Sequence, residues 1–259
     1  AEVPTQARLG AARTLLDGNV PWEFCTAAQL RAGGLARYRV LWLPAALGLD
    51  AGLLEPLAAW VAAGGRLVLD APGGWYDTAG RLLDTRPGTP FHRLFGCTIT
   101  DVQFARVTDR PWVLPCGRLE GFALACRPEA DVAVAERFAD GSPAVLQRRH
   151  GAGAAVLLCW DAALQTARPG REAWQRLALQ HLLGGLRPDV DSPDCLALRL
   201  RAPQAMHLML FNEQGPRRVR VRLAGAAERG CDAVTGEAVA LDAVDLPGWS
   251  ARWLRVPLA

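Results

Sequence analysis

Few residues in this 259-residue chain are of types that do chemistry, and they are widely spaced. Two acids close apolar strand-like runs: Asp70 ends Arg66-Leu67-Val68-Leu69, and Asp161 comes just after the run from Ala154 to Cys159. Sheets of α/β proteins place ligands at strand C-termini, so both acids are candidates, Asp70 the better of the two. The same position equally suits an acid that caps a helix or orders a loop. A thiol at a strand-to-helix turn can be activated by the helix N-terminus and a histidine. Cys159 ends a strand-like run, but the next helical period begins only near Arg171, so the tight elbow is expected to be missing. Cys97 precedes a strand instead of following one, and both thiols read first as packing.

Other chemistries find less support. The three serines, Ser142, Ser192 and Ser250, lie in no GxSxG sequence, and Asp140-Gly141-Ser142-Pro143 reads as a turn. A phosphate loop of the GxxxxGK[ST] type needs a lysine, and there is none; Pro72-Gly73-Gly74 is a glycine turn without the rest of a nucleotide signature. His92, His150, His181 and His207 show no HxH or HExxH spacing, and His181 sits on an apolar helix face. No catalytic residue, metal ligand or cofactor-binding residue is therefore expected.

These residues must be positioned by alternating elements. Leu9, Ala12, Leu15 and Leu16 recur at helical spacing up to Gly18, and Val20 to Cys25 reads as a short strand. Arg39 to Pro44 is a second strand, apolar nearly throughout, as when both faces of a sheet are covered. Leu53, Leu57, Trp60 and Val61 define a helix with Pro56 in its first turn and Gly64-Gly65 after its end. Arg66 to Asp70 follows as a third strand. This order predicts a parallel sheet with right-handed crossovers. Short β-like runs come next, at 98–104, 121–126, 132–138, 143–149 and 154–159, the last two a hairpin around His150-Gly151-Ala152-Gly153. Glu172 to Leu183 is a last helix, and 187–193 reads as a linker. Beyond it, five to six short strands are expected at Leu196–Leu200, Met206–Phe211, Val219–Leu223, Val234–Leu241 and Arg252–Val256. Arg218, Arg220 and Arg222 should share a solvated face there.

Composition bounds the whole. With 51% hydrophobic and 21% charged residues the chain can bury a core, and it is neither disordered nor collagenous. No apolar run approaches the roughly 20 residues of a spanning helix, so no membrane association is expected. The charge of +3 rests on 29 arginines scattered along the chain, which gives no case for nucleic acid. Seven cysteines without a CxxC pair predict mostly buried thiols and a reducing, cytoplasmic compartment. Position 1 is not Met, and the N-terminus has no signal-peptide pattern, so removal of an upstream part of the gene product is the expectation.

Five stretches together resemble the middle domain of family 42 β-galactosidases, a glutamine-amidotransferase-like α/β domain usually called the trimerisation domain. They are Asn19 to Phe24, Leu35 to Pro44, Trp60 to Val68, Pro87 to Pro90 and Leu94 to Gly96. Leu210 to Glu213, Asp232 to Glu237 and Leu246 to Trp249 resemble the C-terminal β-sandwich of such glycosidases. The resemblance implies a flavodoxin-like, class I glutamine-amidotransferase-like parallel sheet with helices on both faces over residues 1–188. A small antiparallel β-sandwich would follow over 194–259. In true amidotransferases the turn after the third strand carries the catalytic cysteine. Here it reads Ala71-Pro72-Gly73-Gly74-Trp75-Tyr76, without Cys, Ser or Thr, which implies a disarmed fold. The (β/α)8 barrel bearing the family's catalytic glutamates is not in this sequence.

The leading expectation is a non-catalytic oligomerisation and scaffold segment of a β-galactosidase-like glycoside hydrolase. It would self-associate as a homo-oligomer, a trimer by resemblance, and pair with a glycosidase barrel. A small hydrolase or amidotransferase-like enzyme using Cys159 or Asp70 is the first alternative. A carbohydrate-binding module is the second, with Trp75 and Tyr76 on a post-strand loop beside Asp70 as sugar contacts.

Overall fold

A computed structural model describes residues 2–168, 170–192 and 194–258. The chain divides into two compact units, Ala1–Ala11 with Phe24–Gly185, and Ala12–Glu23 with Leu186–Ala259.

Helix α1 (Glu2–Asp17) contributes its first turns to the first unit, where Ala7 and Ala11 are buried with Ala45 and Ala163. Helix α2 (Ala27–Arg31) starts at a capping box: Thr26 Oγ1 accepts from the Gln29 N–H, and the Thr26 N–H donates to Gln29 Oε1 at 2.7 Å. Strand β1 (Val40–Leu43), helix α3 (Ala51–Ala62) and strand β2 (Arg66–Asp70) then follow with short connections. Asp50 caps α3 by accepting from the Leu53 N–H at 2.8 Å. Next come α4 (Pro90–Phe95), β3 (Cys97–Phe104), β4 (Val113–Leu114), β5 (Gly117–Arg118), β6 (Phe122–Pro128) and β7 (Ala133–Arg137). Strands β8 (Pro143–His150) and β9 (Gly153–Leu158) and helices α5 (Ala162–Thr166) and α6 (Glu172–Leu183) complete the unit.

The central sheet has the order β1-β2-β9-β8-β7. Its β1–β2 and β2–β9 pairs are parallel, whereas β9–β8 and β8–β7 are antiparallel. The parallel sheet expected from the strand-helix-strand order is thus parallel only over β1, β2 and β9, and the expected hairpin joins it to make a mixed sheet. The cause is local: His150 pairs with Gly153 across a two-residue loop, too short for anything but an antiparallel return. Strands β2, β9 and β8 lie inside it, and Leu67, Val68, Leu69, Val156, Leu157 and Leu158 of the first two are fully buried.

Other expectations also change. Val20 to Cys25, expected as a strand, has no regular secondary structure and joins no ladder, in keeping with Pro21, which has no N–H to give. Pro56 lies inside α3, past its first turn. Helix α5 was not expected at all: five residues are too few to show a helical period. Among the described residues, no helix is long and apolar enough to cross a membrane.

The second unit holds seven strands among its described residues, where five to six were expected: β10 (Cys195–Arg201), β11 (Ala205–Asn212), β12 (Arg217–Val219), β13 (Arg229–Asp232), β14 (Ala238–Ala240), β15 (Val244–Leu246) and β16 (Ser250–Pro257). They make an antiparallel sheet β10-β11-β16-β13-β14 and an antiparallel pair β12-β15. Leu208, Leu210 and Leu254 of the larger sheet share one apolar cluster with Val219, Val244 and Leu246 of the smaller. Two expected strands contract. Of Val219–Leu223 only Val219 lies in a strand, although Val221 and Leu223 stay buried while Arg218 and Arg220 are exposed. Of Val234–Leu241 only 238–240 is strand, because Asp232 Oδ1 accepts from the Val234 and Thr235 N–H groups at 2.9 and 3.1 Å and bends the chain. The expected linker at 187–193 is instead partly built in: Val190 is buried and bridges Val221, and the Arg222 N–H donates to the Asp189 carbonyl. Pro193 lies outside the described residues.

Asn19 is the unit's keystone. At φ 52° its buried side chain donates to the Ser192 and Cys195 carbonyls at 2.9 and 2.7 Å and accepts from the Ala197 N–H at 2.8 Å. All three of these hydrogen bonds reach across the sequence to the start of β10.

Candidate functional site

The C-terminal ends of β2 and β9 bring Asp70 and Asp161 into one buried region. Asp70 has no exposed surface. Its Oδ1 accepts from the Ala45 N–H at 2.5 Å and its Oδ2 from the Ala163 N–H at 2.8 Å, so one carboxyl ties the chain after β1 and the first turn of α5 to the end of β2. Burial pushes its pKa up to about 8; the two backbone donors pull the other way, and the neighbouring Asp161 charge adds to the rise. Asp161, also buried, accepts from its own helix through Gln165 Nε2 at 2.9 Å, and its other oxygen lies against Gly121, where a Cβ would overlap it. Burial lifts it to about 7, opposed by the Gln165 and Phe122 hydrogen bonds.

The turn after β2 is sterically closed. Ala71 to Gly74 are buried, and the Ala71–Pro72 peptide is cis. A Cβ on Gly73 would overlap the Leu69 side chain and lie 2.6 Å from the Asp70 carbonyl oxygen. Gly74 adopts φ 73°, and a Cβ there would meet the Phe91 ring at 2.8 Å. A nucleophilic side chain at position 73 or 74 would overlap these neighbours.

The turn after β9 differs from its expectation. Helix α5 begins three residues past Cys159, so a strand-to-helix bend is present after all. Cys159 is nonetheless fully buried, its Sγ 3.8 Å from that of Cys126. Thiol-to-thiol hydrogen bonding and burial hold Cys126 and Cys97 well above the ordinary thiol range. Cys97, Cys159 and Cys195 are buried while Cys25, Cys116, Cys126 and Cys231 are half-buried, so fewer thiols are core residues than expected.

The histidines stay apart. His92 Nε2 pairs with Glu129 at 3.0 Å, His150 Nε2 lies 2.6 Å from the Leu94 carbonyl, and Trp253 Nε1 donates to His207 Nδ1 at 3.1 Å. His181 is buried, and burial with the nearby Arg66 charge pushes it down to about 4, so it is neutral at pH 7. Among the described residues no group of three His, Cys, Asp or Glu side chains could hold a metal ion. Ser142 Oγ donates to Asp140 at 2.6 Å within its turn.

What the region does present is an aromatic row. Trp75 stacks on Tyr76 at 5.0 Å, meets Phe122 at 6.2 Å, and Phe122 meets Phe104 at 5.4 Å. Trp75 and Tyr76 are half-buried, Phe104 is 40% exposed, and Val107 beyond it is 79% exposed. Glu120, two residues before Phe122, gathers Arg106, Arg168 and Arg171 around it. Sequence reasoning found Trp75 and Tyr76 but missed Phe104 and Phe122, which meet only because β3 and β6 pair them across the strands.

Comparison with known proteins agrees with this architecture. The family model for the beta-galactosidase trimerisation domain matches residues 13–169. No curated protein matches the sequence significantly. Among solved structures, a GH42 beta-galactosidase from G. stearothermophilus, solved as a catalytic mutant, superposes with TM-score 0.73 at 20% identity, over 97% of this chain and 36% of that one. The beta-galactosidase from Bacillus circulans sp. alkalophilus gives 0.73 at 16% identity, over 98% and 38%. Alpha-L-fucosidase isoenzyme 2 from Paenibacillus thiaminolyticus gives 0.70 at 16% identity, over 98% and 45%. The chain thus spans less than half the length of these structures, and at such identities the likeness concerns the fold. With its family model matched over more than half its length, the chain belongs to the beta-galactosidase trimerisation domain family.

Proposed function

We propose that this chain is the non-catalytic assembly and scaffold part of a β-galactosidase-like glycoside hydrolase. It associates with copies of itself as a trimer and serves a (β/α)8 glycosidase barrel. The observation that carries the non-catalytic part is the bend at Gly73 and Gly74, which admits no nucleophile, together with the burial of Asp70 and Cys159. The aromatic row from Tyr76 to Phe104 is the surface we assign to self-association; a stable interface needs about 1,000 Å² or more, which a row of this kind would anchor. In this reading the first unit is a flavodoxin-like, amidotransferase-like domain ending near 188, and the second, from 194, is a β-sandwich. Seven cysteines, none of them in a CxxC pair, support a reducing, cytoplasmic setting.

Size-exclusion chromatography with light scattering tests the assembly. The expected result is three times the chain mass, reduced to one by Phe104→Glu. A strict monomer at high concentration overturns it.

A second reading, sugar contact at the 71–76 loop, is favoured by the stacked and half-exposed Trp75–Tyr76 pair. Asp70 would serve it only by fixing the loop, since its carboxyl has no surface. Calorimetry with galactosides should then show heat that Trp75→Ala abolishes, and the absence of heat at millimolar ligand removes the reading.

A further inference from the structure

Three arginines of the first unit share one carboxylate oxygen. Arg106 Nη2 and Arg171 Nη2 each lie 3.1 Å from Glu120 Oε2, and Arg168 Nη1 hydrogen-bonds to the same atom. The first two nitrogens are thus no more than twice 3.1 Å apart, and three guanidinium groups crowd one point. They come from separate segments: Arg106 from the 3₁₀ turn Ala105–Val107 that follows β3, Arg168 from the chain after α5, and Arg171 from the N-cap of α6. The backbone between them is fixed. The Ala105 N–H donates to the Gly121 carbonyl at 2.7 Å, Ala105 is buried, and Gly121 is pressed against buried Asp161 with no room for a Cβ.

The charges here do not balance. Among the described residues no other acid forms an ion pair with any of the three arginines, so three positive charges meet one negative. The other arginine–acid pairs among the described residues set one arginine against one acid or, at Arg252, one arginine between the two acids Asp232 and Glu237. Arg168 also acts by its charge on Asp161, but burial lifts that acid to about 7, which makes it a weak counter-charge near neutrality. Position adds to the imbalance. Arg171 occupies the N-cap of a 12-residue helix, where the helix dipole disfavours a cation, and its side chain makes no capping hydrogen bond. Each guanidinium carries five N–H donors, against about four acceptor sites on the whole Glu120 carboxylate. Arg106 and Arg168 are about half exposed, so their spare donors are within reach of a solute.

A neutral ligand would leave the two excess charges standing, and a single carboxylate would leave one. A phosphate group near neutral pH carries close to two negative charges and three strong acceptor oxygens, which suits converging guanidinium forks. We propose that Arg106, Arg168 and Arg171 form a binding site for a phosphate dianion, free or borne as a monoester on a small molecule. Glu120 is the resident carboxylate that holds the three side chains together and turns out to solvent when phosphate arrives; its side chain, 38% exposed, already borders solvent. The site goes beyond the assembly role and does not depend on it.

The test is isothermal titration calorimetry of the full chain with inorganic phosphate at about pH 8, at a constant ionic strength of about 0.15 M that screens diffuse attraction. Saturable binding with a Kd of about 1 mM is expected. Glu120→Gln removes the competing charge and should tighten it roughly 3- to 10-fold, while Arg168→Gln and Arg171→Gln should each weaken it about 10-fold, the worth of one charge-assisted hydrogen bond. Arg168→Lys, which keeps the charge and loses the fork, should fall between the parent and Arg168→Gln. Arg218→Gln, at an exposed arginine paired one-to-one with Asp245, should change nothing. Methyl phosphate separates the two sources: binding tighter than that of inorganic phosphate marks a monoester as the ligand, and binding no tighter marks the free ion. No saturable heat up to about 20 mM phosphate overturns the proposal. So does binding in Glu120→Gln alone, which would make Glu120 the permanent partner of the arginines, or a loss in Arg218→Gln as large as in Arg168→Gln, which would show diffuse attraction only. Light scattering in the same buffer keeps a failure of assembly apart from a failure to bind.

Discussion

Asp70 and Asp161 end up in comparable places, at and just past the ends of neighbouring parallel strands, both buried and both with raised pKa values. Their work differs. Asp70 bridges two backbone N–H groups, Ala45 and Ala163, that lie 25 and 93 positions away. Asp161 bonds mainly within its own helix, to Gln165 four residues on. An acid at a strand end can thus be a cross-link between distant segments or a local helix residue, and only the first holds together a region that a ligand or partner would meet. The two bends differ as well: the one after β2 leaves no room for a Cβ at Gly73 or Gly74, while the one after β9 accepts Cys159 and buries it.

The sharpest way to break this comparison is to truncate each acid. Asp70→Ala leaves two buried N–H groups without an acceptor and should cost about 2–6 kcal/mol in urea unfolding, against roughly 1 kcal/mol for Asp161→Ala. Equal losses would mean that the cross-link carries no special weight. Next in size is Gly73→Cys, which places a thiol where an amidotransferase has one. Overlap with Leu69 should lower stability by about 1–3 kcal/mol, and alkylation at neutral pH should proceed no faster than for the parent chain. A fast-reacting new thiol would show the bend to be open.

Smaller effects follow from pH. Between pH 3.8 and about 7 the unfolded chain has released the Asp161 proton while the native state keeps it, so this group lowers stability as pH rises through that window. Asp161→Asn should remove that decline and make the urea midpoint flatter against pH; an unchanged slope would place the titration elsewhere. His181 acts with the opposite sign. Its native pKa of about 4, against 6.5 in the unfolded chain, means stability lost as pH falls from 6.5 to 4. His181→Asn should lessen that acid loss, the smallest of these effects.

Much of the first unit is readable from spacing because strong local signals agree. Helix α6 runs from Glu172 to Leu183 as its apolar period and Gly184-Gly185 predict, with Gly184 in the left-handed conformation. The β8–β9 hairpin is equally plain in its alternation and glycine turn. Helix α5 is not, because its N-terminus is capped by Asp70 from another segment, and no local pattern announces a cap that arrives from 93 positions away. Strand β14 is shorter than the run expected from Val234 because a turn organised by Asp232 takes up the run's first residues, and β13, Arg229–Asp232, lies before that run and has no apolar alternation to announce it. At the candidate site, Asp70, Trp75 and Tyr76 stand out by position after a strand. Phe104 and Phe122 become neighbours only through the register of β3 and β6.

Asn19 hydrogen-bonds to Cys195, 176 positions further on, and to Ala197 beyond it. During synthesis this asparagine leaves the ribosome long before its partners are translated. The second unit therefore cannot finish folding as a nascent tail on its own; it must recover a segment made at the very beginning, a slow, long-range closure of the kind that delays folding. Chaperone dependence and translation rate should then bear more heavily on this unit than on the sheet made in between.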